Sequence, residues 1–188
     1  MTTPLFTKLN LKGHAAVVVL NAPPEFEPEL AALAGGGAAK VHRRPLPATA
    51  FALAFVRTRS ELSAAAGAIL PRAAGDAVLW FAYPKASSKR LRSELTRDSA
   101  WEPLGEAGYE GVRQVAIDAD WSALRFRHVQ FIKAMTRHPM GAISAAGKAR
   151  SAAAATGGPR ARGGGCAAEA GGAGEAGCHP TAKKQRLR

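Results

Sequence analysis

Between Asp76 and Pro84 the chain runs through Ala77-Val78-Leu79-Trp80-Phe81-Ala82-Tyr83 without a charge or a polar interruption. A strand wet on one face alternates apolar and polar residues. A short unbroken apolar run, bounded here by Gly75 and Pro84, marks a strand covered on both faces. Covering both faces takes helices, and helices that cross between parallel strands put ligand sites outside the carboxyl ends of those strands. Lys85–Arg92 is therefore the first place to look for chemistry.

Other segments repeat the pattern. Ala15–Leu20 predicts a first strand, halted by Pro23-Pro24, and Pro28 among acids opens a short helix carrying Leu30 and Leu33. Lys40–Arg44 is a weak second strand and Phe51–Val56 a stronger third. Ser60 is a candidate cap for a helix with Leu62, Ala65, Ala66 and Ile69 on one face. Asp76–Tyr83 is the fourth strand, followed by a helix capped by Thr96 or Asp98 and running through Trp101 and Leu104. Val112–Ile117 is a fifth strand and Ala123–Ile132 a sixth, with a change of apolar parity between Phe126 and Val129 that suggests a bulge. The turn around Asp118-Ala119-Asp120 is too short for a parallel crossover, so the sixth strand should run antiparallel. Strands alternating with short helices predict a small, doubly wound, mostly parallel α/β sheet.

Composition divides the chain after Met140. Residues 141–188 carry eight Lys/Arg and two Glu, and 26 of the 48 are Ala or Gly. With Ile143 and Leu187 as its only sizeable aliphatics, this segment lacks the apolar surface that offsets ordering entropy. The expected organisation is a domain over 1–140 and a disordered, basic Ala/Gly-rich tail over 141–188, with passing helix in Ser144–Ala155. Net charge is +12, shared equally by the two parts, and favours anionic partners. The N-terminus shows no signal-peptide pattern and no stretch is long enough for a membrane helix, so a cytoplasmic protein without membrane contact is expected.

The candidate site lies on the sheet's carboxyl edge. Lys85, Ser87, Ser88, Lys89, Arg90 and Arg92 gather cations and hydroxyls after the fourth strand, the donors that a phosphate or carboxylate needs. Parallel strands should bring Asn21, Arg57 and Asp118 to the same edge. Asp118 and Asp120 suit acid–base work or a metal, but such a pair more often caps a turn or balances nearby charges such as Arg125 and Arg127. Trp80, Trp101 and Trp121 read as core and rim. A dinucleotide site needs a glycine-rich turn after the first strand and an acid closing the second; the chain has Asn21-Ala22-Pro23-Pro24-Glu25-Phe26 and Arg43-Arg44. No cofactor is expected on that account. No nucleophile–base set converges, and Cys166, Cys178 and His179 fall short of a zinc signature, so no catalytic or metal site is assigned.

Seven blocks together resemble a known family: LNLKGH, VLNAPPEFEPELAAL, FALAFV, DAVLWFAYPKASSK, RDSAW, GVRQVAIDADWSALRFR and FIKAM, spanning roughly residues 8–137. They are similar to a family of small bacterial proteins known as a domain of unknown function. The resemblance implies a Rossmann-like fold distantly similar to methyltransferase-type sheets, and it transfers no catalytic residue. Three function classes follow, in order of fit. The first is a non-catalytic binding module that recognises a small anionic ligand at the carboxyl edge. The second is a cryptic transferase using Lys85–Arg92 and Asp118. The third is a protein that touches nucleic acid weakly and without sequence preference through its basic tail.

Overall fold

The computed structural model describes residues 3–133 and 141–156. Ala16–Leu20 (β1), Lys40–His42 (β2), Thr49–Phe55 (β3), Ala73–Pro84 (β4), Tyr109–Ala116 (β5) and Trp121–His128 (β6) form one sheet in the order β2-β1-β3-β4-β6-β5. Parallel pairing joins β2 to β1, β1 to β3 and β3 to β4, while β6 lies antiparallel between β4 and β5. Five strands therefore point one way and β6 the other.

From Ala77 to Pro84 every residue of β4 is buried. Alternation splits them between two cores. Val78, Trp80 and Ala82 pack with Phe6 of Pro4–Lys8 (α1) and with Leu30 and Leu33 of Glu27–Gly35 (α2). Leu79, Phe81 and Tyr83 pack with Leu62, Ala66 and Ile69 of Arg59–Ile69 (α3) and with Leu104 of Glu102–Glu106 (α4). The Trp80 indole N–H donates to the Leu9 carbonyl at 2.8 Å, which ties the N-terminal lead-in to the sheet.

The antiparallel return is present, and the sequence order does not reveal its insertion between β4 and β5. Burial explains it. β6 buries Trp121, Ser122, Ala123, Leu124 and Phe126 on both parities, whereas β5 exposes Val112, Arg113, Gln114 and Ala116. The better-covered strand takes the interior position and the more exposed one the edge. The bulge also moves: register shifts in β5 between Gly111 and Arg113, and the parity change after Phe126 marks the end of β6, where Val129–Phe131 forms a 3₁₀ turn. The cap of α3 is Thr58 rather than Ser60, in a reciprocal box with Glu61. The helix expected from Thr96 or Asp98 shortens to α4, so residues 85–101 form a long irregular loop.

One compact unit takes in residues 1–157. Ala145–Thr156 is a helix (α5), and Ala142, Ser144 and Ser151 are buried. A poor apolar face is supplemented by a polar anchor. Glu110, 2% exposed on β5, accepts from the Ile143 N–H (3.1 Å), the Ser144 N–H (2.8 Å) and the Ser144 hydroxyl (2.6 Å), and that hydroxyl accepts from the Gly147 N–H at 2.9 Å. A carboxylate at a helix N-terminus satisfies orphan donors and suits the dipole. Arg150 adds bonds to the carbonyls of Val129 and Ile132 at 2.6 and 2.7 Å. Residues 157–188, with Cys166, Cys178, His179 and the terminal basic cluster of the expected tail, lie outside the described residues.

Two glycines separate this account from a generic one. A Cβ at Gly147 would lie 2.0 Å from Glu110 Oε1, while one at Gly67 in α3 would meet nothing within 4 Å. In urea denaturation, Gly147→Ala should therefore cost about 1–3 kcal/mol. Gly67→Ala should instead stabilise by roughly 0.5–1 kcal/mol through helix propensity.

A pH effect follows from the pairing of β4 and β6. The Arg127 guanidinium hydrogen-bonds Asp76 through Nε (2.7 Å) and Nη2, and holds its carboxyl below the usual aspartate range. A depressed folded pKa stabilises above the unfolded value, about 3.9, and that contribution is lost as pH falls through the folded one. With the Asp76 side chain 38% exposed, the amount is at most about 1 kcal/mol. Asp76→Asn should flatten the acid limb of the stability–pH curve below about pH 4 without changing its shape at neutral pH.

Candidate functional site

The strand directions bring the ends of β1, β3, β4 and β5 to one edge, so Asn21, Arg57, Lys85 and Asp118 emerge together. Asn21, at φ 54°, donates from Nδ2 to the Phe55 carbonyl at 3.3 Å and so clasps the ends of β1 and β3. Such a left-handed position tolerates asparagine better than most side chains.

Ser88 organises the loop after β4. Its hydroxyl donates to Asp120 Oδ1 at 2.7 Å and accepts from the N–H groups of Arg90 (3.3 Å) and Leu91 (3.1 Å). Arg90 reaches the same carboxylate at 3.4 Å and Glu25 at 2.9 Å. Lys85 donates from its backbone to the Asp120 carbonyl (2.7 Å) and from Nζ to the Asp118 carbonyl (2.5 Å). Asp118 Oδ1 accepts from the N–H groups of Asp120 and Trp121 at 2.8 and 2.7 Å, an Asx-type turn. Neither aspartate balances Arg125 or Arg127, which belong to a different part of the sheet.

Of the candidate residues, Asn21, Lys85, Ser88, Arg90 and Asp118 thus bond to other groups of the chain. Ser87 and Lys89, with neighbouring Arg92, are exposed and make no bond to another described side chain. The N-terminus of α3 is likewise occupied from within. Glu61 takes the N–H groups of Arg57 (2.6 Å) and Thr58 (3.3 Å), and Glu94 takes that of Arg59 (3.0 Å). These are the donors an external phosphate would otherwise use. Arg43 pairs with Glu27 at 2.5 Å.

One donor at this edge is unanswered. Trp121 is 3% exposed, with its ring 5.1 Å from that of Phe55, and its buried Nε1 finds no acceptor among the described residues. Its type and burial accord with a core residue, and an orphaned indole N–H is a long-range property that no local pattern signals. Burial raises the Tyr83 hydroxyl pKa, and that hydroxyl accepts from Gln114 Nε2 at 3.1 Å. Among the described residues, cavities lie elsewhere: one of about 240 Å³ beside His14 and Phe51 near the starts of β1 and β3, and one of about 540 Å³ between α4 and the start of α5. Among the described residues no three His, Cys, Asp or Glu side chains form a metal-holding group, and no helix is long and apolar enough to cross a membrane.

Comparison with family models, curated proteins and solved structures returns no match, so the site is read from its own geometry.

The Ser88 network makes a specific demand on folding. Ser88→Ala removes a buried bond to Asp120 and two acceptor contacts, and should cost about 1–3 kcal/mol in urea denaturation. Ser87→Ala, one residue away and exposed, should stay within about 0.5 kcal/mol of the parent.

Proposed function

We propose that this chain is a non-catalytic binding module on a Rossmann-like, doubly wound sheet, and that it recognises a small anion through Ser87, Lys89 and Arg92 at the carboxyl edge. The observation that carries this reading is the Ser88–Asp120–Arg90–Glu25 network. It holds the loop in one shape while leaving a hydroxyl and two cations without internal counter-charge. Pre-organisation of that kind lowers the cost of binding. The unpaired Trp121 N–H at the same edge adds a donor with no acceptor of its own. A binding role is favoured over catalysis because Asp118 and Asp120, the acids nearest the loop, accept bonds from backbone, Ser88 and Arg90, and these bonds position the chain.

A thermal-shift screen against nucleotides, S-adenosylmethionine and phosphorylated metabolites tests the proposal. A ligand at 100 times its dissociation constant adds about 2.7 kcal/mol, which such a screen detects. The Lys89→Ala/Arg92→Ala variant should keep the parent's stability and lose roughly 1.5–3 kcal/mol of binding for each charge-assisted bond removed. Undiminished binding by that variant would refute the assignment.

A further inference from the structure

Arg113, Arg125 and Arg127 share one face of the sheet at its β5–β6 end. The registers establish this: Arg113 lies across from Arg125 and Arg125 across from Trp80, which belongs to the face packed against α1 and α2. Residues directly opposed on neighbouring strands have Cβ atoms about 5 Å apart, where like charges destabilise the sheet. Among the described residues one carboxylate, Asp76, hydrogen-bonds to any of the three cations, and it is engaged by both arms of Arg127. The guanidinium groups of Arg113 and Arg125 donate no hydrogen bond to any described residue. Arg125 is half-buried, and its Nε is buried with no acceptor. Burial first, then the neighbouring Arg127 and Arg113, push its pKa below the ordinary arginine value.

A buried guanidinium N–H without an acceptor is costly, and facing it with a second arginine adds to that cost. Nothing in the packing needs either cation, since apolar residues occupy the neighbouring positions on this face: Val78, Val115 and Ala123 are all buried. An external oxyanion would supply the missing acceptors and separate the two positive charges. Guanidinium forks match phosphate oxygens in pairs. Toward the carboxyl edge the next residues on this face are Val115 and Ala123, both buried and apolar, so the described arginines make a compact patch that suits one or two phosphate groups.

We propose that Arg113, Arg125 and Arg127 form a second anion site, on the sheet face and separate from the carboxyl-edge loop, that takes a phosphate monoester or pyrophosphate group. Asp76 holds Arg127 in place, and Arg125 supplies the desolvated fork.

Calorimetric titration of the full chain with inorganic phosphate, pyrophosphate and a short single-stranded oligonucleotide, at constant ionic strength, tests this. Pyrophosphate should bind the parent, and its Kd should rise about tenfold or more in Arg125→Met and again in Arg113→Gln, the effect of losing one charge-assisted bond. Arg125→Met keeps the side-chain stem. Arg113 is exposed, so Arg113→Gln decides the matter should the first variant fold poorly. The Lys89→Ala/Arg92→Ala variant should retain a pyrophosphate site whose Kd Arg113→Gln still raises. Unchanged affinity in Arg113→Gln would overturn the proposal, as would a parent that ignores both phosphates. Loss of binding in Lys89→Ala/Arg92→Ala alone would also overturn it while leaving the carboxyl-edge reading standing. Binding of the oligonucleotide without pyrophosphate would replace it with a polyanion surface.

Discussion

Burial of β4 on both faces is the condition that the rest of the chain meets. Trp80 lies at its middle with no exposed surface and donates its indole N–H to Leu9. A ring that large removes roughly 150–250 Å² from water, so elements must close over it on the side of α1 and α2. On the other face, Phe81 stacks edge-on against Phe126 of β6 at 5.6 Å, which draws β6 inward beside β4. With β3 on one flank and β6 on the other, the carboxyl end of β4 is held at the centre of the edge. The loop from Lys85 inherits that position.

Polar groups at the edge serve two ends, and the distinction is electrostatic. Where a cation meets a carboxylate or carbonyl within the fold, as Arg90 and Lys85 do, the loop gains definition and the charge is answered. Satisfied networks of this type rigidify a structure, and half-satisfied ones are costly. Lys89 and Arg92 stay outside the network, in water. Arg125 belongs to neither group, being half-buried and unanswered, and for that reason it marks the sheet face as a place where chemistry is missing.

Local pattern carried much of the architecture. The uncharged runs at β1, β3 and β4 stand where expected, as does the antiparallel return, because period and turn length are short-range properties. The gathering of Asn21, Lys85 and Asp118 on one edge also follows from strand direction alone. The order of β5 and β6 does not, since it turns on which strand is better covered, a comparison of whole faces. Ser88 reads from sequence as a ligand-binding hydroxyl of a basic loop, yet its role depends on Asp120, distant in sequence. The docking of α5 was hidden for a related reason. An Ala-rich segment reads as unable to fold by apolar content, and its anchor is a carboxylate on β5. Glu110 in a strand next to Gly111 gave no local sign that it would cap a helix more than thirty residues later.

Native-state hydrogen exchange measures most directly whether β4 is the element on which the others depend. The amides of Leu79–Tyr83 should exchange only through global unfolding and report the largest free energy in the chain, while those of α5 should open locally at lower free energy. Slow exchange in α5 with faster exchange in β4 would contradict the central place given to Trp80 and its strand.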